Sequence, residues 1–158
     1  MTAREIYQHH LDIVSRALWD LDHDTMAKYL GMPNRMGTTD ASILLDSQEK
    51  LRQAATDFRT HLSRMGAQHY HRLCTDAAYD PKDPDRIHGT HVTHILSGGA
   101  YVVQPFDNRM TLVRKGDIWL GIELRAVVGN AECTIVSPSQ LRATHASRMD
   151  TRTNKEAG

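Results

Sequence analysis

Cysteine is almost absent: Cys74 and Cys133 are the only two in 158 residues. They form no CxxC pair and both fall in segments that read as strands, so they are expected as buried thiols in a reducing compartment. Excess charge of either sign is also missing. Lys+Arg and Asp+Glu stand at 19 each, so no global field draws nucleic acid or an anionic membrane to the protein, and the expected partner is a small molecule. Nowhere is there a run of about 18 apolar residues. Met1 to Gln8 is polar and charged with no apolar segment behind it, so the expectation is a soluble, cytoplasmic protein with no membrane partner. What the chain does have is histidine, ten in all. Its length suits one domain that buries about two thirds of the surface its unfolded form exposes.

Apolar residues Ile6, Tyr7, Leu11, Ile13, Val14, Ala17, Leu18 and Leu21 make one broad stripe at helical spacing, predicting a helix over Ala3 to Leu21. Asp22 reads as the N-cap of a short second helix, Asp24 to Leu30, ended by Gly31 and Pro33. Asn34 to Asp40 reads as a loop and Ala41 to Leu45 as a short strand. Leu51, Ala54, Ala55, Phe58, Leu62 and Met65 predict a third helix, Ser47 to Arg64, stopped by Gly66. From there alternation dominates. Strands are expected over Ala67 to Tyr79, Arg86 to Ser97, Ala100 to Arg114, Asp117 to Val128 and Glu132 to Ser137, with Gly98-Gly99 and Lys115-Gly116 as two-residue hairpin turns. Helices first and strands last make this an α+β protein, three helices on one face of a strongly curved antiparallel sheet of about six strands. Residues 1–138 are expected to form the single domain and 139–158 a polar, mobile tail.

Three local pieces carry a family resemblance: Asp22-His23-Asp24-Thr25-Met26, Gln68-His69-Tyr70 and Lys115-Gly116-Asp117-Ile118-Trp119. Together with the element order they resemble the nuclear-transport-factor-2-like superfamily, over about residues 3 to 138, and within it the SnoaL-like branch that includes scytalone dehydratase. The resemblance implies a cone-shaped roll with a pocket at its wide end and no metal or other cofactor. It also implies a histidine at the place of His69 paired with an aspartate on the first helix for proton abstraction. Trp19 aligns with that aspartate, and Asp20 beside it supplies the carboxylate if the helix shifts by one residue.

Counting outward from the turns, one sheet face collects His69, His71, Leu73, His88, Val92, His94, Leu96, Tyr101, Val103, Asp107, Arg109, Ile118, Leu120, Ile122 and Leu124. With the family's histidine inside the cone, this face is expected to be the pocket wall. His69 and Asp20 are then the candidate catalytic pair, and Trp19, His71, His94, Tyr101, Val103, Asp107, Arg109, Leu120 and Ile122 the candidate ligand contacts. His69, His71 and His94 offer three imidazoles, but no carboxylate is fixed beside them, which favours a general base over a metal site. The opposite face holds Tyr70, Arg72, Cys74, Asp76, His91, Phe106, Met110, Trp119, Glu123 and Arg125. Its aromatic and arginine content suggests a homodimer interface through the sheet, or the pocket itself if the register slips by one. Pro105 marks the place where a bulge would enter. Two functions fit: a cofactor-independent lyase or isomerase, or a non-catalytic small-ligand-binding module.

Overall fold

The computed structural model describes residues 1–141. Its elements run α1 (Ala3–Asp20), α2 (His23–Tyr29), β1 (Leu30–Gly37), β2 (Ser42–Leu45), α3 (Gln48–Arg64), β3 (His69–Asp80), β4 (Asp83–Ser97), β5 (Ala100–Tyr101), β6 (Phe106–Lys115) and β7 (Ile118–Ala126). Helix α1 opens with a full capping box, Thr2 accepting from the Glu5 N–H while Glu5 accepts from Thr2. Asp22 and Ser47 cap α2 and α3 by accepting the backbone N–H of Thr25 and Lys50. All three predicted helices are present, and α3, at 17 residues, is one residue shorter than α1.

The sheet is curved and mixed, in the order β2-β1-β7-β6-β4-β3, with β5 added to β4. Every pair is antiparallel except β1 with β7. The expected loop at Asn34 is therefore a correction: Asn34 to Gly37 belong to β1. Its glycines and Pro33 hid it, and the ladder itself skips from Leu30 to Arg35, which is where a proline can sit without donating. The expected last strand, Glu132 to Ser137, is a second correction. It is a loop tied by Asn130, whose side chain donates to the Val136 carbonyl and accepts the Val136 N–H. Cys133, Ile135 and Val136 are buried from it, so its apolar alternation is satisfied without a ladder. Of the expected tail, Ser139 to Leu141 belong to a helical turn and 142–158 lie outside the described residues.

The helices cover one face of the sheet. Tyr70, Arg72, His91, Thr93, Ile95, Phe106, Asn108, Met110 and Leu112 point toward them and form the core with Leu18, Met26, Phe58 and Leu62. Leu62 and Leu112 are wholly buried, and each such side chain contributes about 1.5–3 kcal/mol. Three irregularities set which residues face in. The ladders slip between Cys74 and Asp76 and between Thr111 and Leu112, and the chain leaves the sheet between Tyr101 and Phe106, around Pro105. From Tyr101–Leu96 to Phe106–Thr93 the chain advances five residues against three on β4, and this difference of two, being even, keeps the faces across the 102–105 detour. Among the described residues no helix is long and apolar enough to cross a membrane.

Candidate functional site

Between α1, α3 and the inner sheet face lies a cavity of about 90 Å³. This is several times the roughly 10–15 Å³ that one water needs. Its wall is mostly apolar: Val14 and Leu18 from α1, Leu51, Ala55 and Phe58 from α3, and Phe106 and Met110 from β6. The small residues Ala54 and Ala55 leave space that larger side chains would close, while Gly121 lets His10 and Leu30 approach the sheet closely.

Polar groups enter this wall at a few points. Arg72 on β3 is only 7% exposed. Its Nε–H donates to Ser15 Oγ at 2.7 Å, and its guanidinium carbon stands 5.8 Å from the centre of the Tyr70 ring. Among the described residues it forms no ion pair with any carboxylate. Asn108, buried on β6, donates to Thr93 Oγ1 and to the carbonyls of His91 and Phe106. His10 on α1 is bonded through Nε2 to the Tyr29 carbonyl, so Nε2 carries the proton and the buried Nδ1 is left without a partner. Burial pushes His10 down to about 4, with the positive charge of Arg72 adding to the effect. Deeper in the core Tyr7 Oη and His91 Nδ1 are 2.6 Å apart, and burial followed by Arg72 pushes His91 down to about 2. Both imidazoles are neutral at physiological pH, which leaves Arg72 as the buried charge on this wall.

No family model matches the chain, and no curated protein matches it in sequence. Solved structures do match. A nuclear-transport-factor-2-like protein of unknown function from Shewanella oneidensis superposes with a TM-score of 0.60 at 7% identity, over 78% of this chain and 98% of its own. A protein of unknown function with a cystatin-like fold from Nostoc punctiforme gives 0.59 at 10%, over 78% and 89%. A nuclear-transport-factor-2-like protein from Cytophaga hutchinsonii gives 0.56 at 11%, over 82% and 100%. The chain has the nuclear-transport-factor-2-like fold. At these identities the likeness concerns the fold alone, and it bears out the α+β roll expected from the sequence.

Within this nuclear-transport-factor-2-like roll the expected inner and outer faces are exchanged. The grouping made from the hairpin turns holds through β6: His71 pairs with His94 and Val92 with Asp107. That face, however, is the one turned away from the helices. His69, His71, Tyr101, Asp107 and Arg109 are exposed, and His94 is half-buried beside Tyr101 at 3.3 Å from its hydroxyl. Beyond the β7 irregularity the grouping fails, since Leu124 pairs with inner Met110. Leu120 pairs with Val113 on the outer side, Ile122 is the unpaired residue of the irregularity, and Val103 lies in the detour before Pro105. Nor do Tyr70, Phe106, Met110 and Trp119 form an outer apolar patch, because they pack under the helices. The dimer expectation built on them loses its basis.

Some expected residues do meet, in a different place. Trp19, Asp20, His69 and His71 line a groove of about 490 Å³ along the free edge of β3 against α1. No hydrogen bond joins Asp20 to His69; Asp20 lies 4.0 Å from Arg16, and His69 stacks on His71 with centroids 5.9 Å apart. The Trp19 ring is covered by the Arg59 guanidinium at 3.8 Å. Among the described residues no three His, Cys, Asp or Glu side chains converge as a metal would require. Sequence reasoning passed over Asn34, Thr93 and Asn108, and it placed His10 on a half-exposed edge of the first helix, where the structure buries it. His10 was legible in principle, since it follows Ile6 and precedes Val14 on the buried stripe of α1.

Proposed function

We propose that the protein binds a small, largely apolar organic molecule in the cavity between α1, α3 and the inner face of the sheet. The observation that carries this reading is the cavity itself. Protein interiors are close-packed, so a mostly apolar space of about 90 Å³ walled by core residues is an unusual opening that an apolar molecule could occupy. The test is a thermal melt with hexanol or indole as probe, on the wild type and on Ala55→Leu, which places a larger side chain into the space. A bound probe raises Tm with concentration. The wild type should respond and the filled variant should not, with its own melting temperature kept or raised. Equal responses from the two proteins would remove the cavity as the binding site.

A lyase or isomerase reading, with His69 as base and Asp20 as its partner, draws on one observation, that both line the edge groove with Trp19 and His71. Its geometry is open to water, which weakens any charge interaction with a substrate. If a substrate is turned over there, His69→Ala should abolish turnover; a variant as fast as wild type assigns the groove no catalysis.

A further inference from the structure

We propose that the cavity is built for a small organic monocarboxylate, whose head pairs with the buried Arg72 guanidinium while its apolar body fills the space between α1 and α3. This rests on the cavity being the ligand site and adds the chemical class of the ligand. A guanidinium has five N–H donors in a planar fork that matches two carboxylate oxygens. Ser15 uses one of the five, at Nε, and no hydrogen bond from either Nη to a described residue is present. Nor does any described carboxylate lie within ion-pair distance. Asp12, which lines the groove on the outer side of Arg72, accepts from Gln8 instead, and Glu123 on the cavity wall is exposed to solvent. A cation more than nine-tenths buried without an anion is costly, and proteins keep such charges paired.

The surroundings select a monoanion. Ser15 and the Tyr70 ring hold the guanidinium from two sides, so its fork is pre-oriented. Tyr70 also brings to the wall a hydroxyl that makes no hydrogen bond to a described residue, and Thr93 stands directly across the ladder from Arg72. His10, the other basic residue of the wall, is neutral, so nothing would balance the second charge of a phosphate ester. Apart from the amides of Asn34 and Asn108 and the solvent-exposed Glu123, the remaining lining is hydrocarbon, which suits a short aliphatic or aryl chain.

Titration calorimetry with hexanoate and with hexanol, on wild type, Arg72→Met and Arg72→Lys, tests this. The wild type should bind hexanoate about tenfold or more tightly than hexanol, the range expected when charge-assisted hydrogen bonds are gained. Arg72→Met should keep hexanol affinity and lose the preference. Arg72→Lys, with the charge but not the fork, should retain only part of it. Equal affinity of the wild type for both probes, or a preference that survives Arg72→Met, overturns the carboxylate assignment while leaving the cavity as a site. If hexanol and hexanoate both fail to bind, the cavity reading falls and the assignment with it.

Discussion

Gly89 lies in the middle of β4, facing the Tyr7 ring. A Cβ added there would stand 2.6 Å from Tyr7 Cδ2 and 2.8 Å from Cζ, and closer still to Cε2. Tyr7 is wholly buried and shares a hydrogen bond with His91 Nδ1, so the ring has no free direction in which to retreat. Gly89→Ala should therefore displace it at an overpacking cost of about 1–3 kcal/mol. If the Tyr7–His91 bond breaks as well, two buried polar atoms lose their partner for about 1–3 kcal/mol more. Replacing a strand glycine relieves about 0.5–1 kcal/mol in return. The net expectation is a loss of about 2–4 kcal/mol, or a fall in Tm of roughly 5–15 °C for a chain of this size. Urea denaturation at pH 7 measures it. Gly99→Ala is the control, because a Cβ there meets nothing within 4 Å. Tyr7→Phe deletes the same hydrogen bond while keeping the ring, so the double variant Gly89→Ala/Tyr7→Phe should cost less than the sum of the two. A Gly89→Ala protein as stable as Gly99→Ala would refute this account of the packing.

Two other outcomes follow from the buried charges. In the unfolded chain His10 and His91 take up protons near pH 6.5, while in the folded protein they stay neutral down to about 4 and about 2. The unfolded state therefore binds more protons below pH 6.5, and stability falls as pH drops. At about 1.4 kcal/mol per pH unit for each ring, the pair removes about 4 kcal/mol between pH 6.5 and 5; urea midpoints that are the same at pH 7 and pH 5 would contradict this. Arg72→Met removes an unpaired buried cation, so the ligand-free variant should be as stable as the wild type in urea, or more stable by up to about 1–4 kcal/mol. A clear loss of stability would mean that the protein's own groups already compensate the charge.

The helices were legible because their apolar stripes and side-chain caps are local signals, and α1, α2 and α3 appear where Asp22 and Ser47 place them. The hairpins were legible from glycine, with a small offset: the last turn is Gly116-Asp117, between Lys115 and Ile118, not Lys115-Gly116. Which face of the sheet is inside was not legible, because both faces mix apolar and polar residues. The inner one carries Arg72, His91, Thr93 and Asn108, while the outer one exposes Leu73 and Tyr101. Alternation reports that two faces differ, and it names the buried one only when polar residues keep to the other. The histidines pulled the expected site outward for the same reason, since His69 and His71 stand out in the sequence whereas His10 is embedded in an ordinary helical stripe. β1 was missed because Gly31, Pro33 and Gly37 break its strand pattern; one of its partners, β2, is local, but the other, β7, lies so far along the chain that no local pattern encodes the pairing.

That pairing also governs how the protein can be made. Among the described residues β7 is the only strand that joins the β1–β2 hairpin to β6, β4 and β3; Met36 has Ile43 of β2 beside it on one edge, and on the other it meets Leu124 of β7. A nascent chain emerging from the ribosome can fold α1 against β3 and β4 early, but it carries the β1 edge open until its last strand is available. Such late, non-local closure slows folding and leaves a strand edge open to association in the interval. Slowed elongation before Ile118 should therefore lower the soluble yield more than the same delay placed after Ala126.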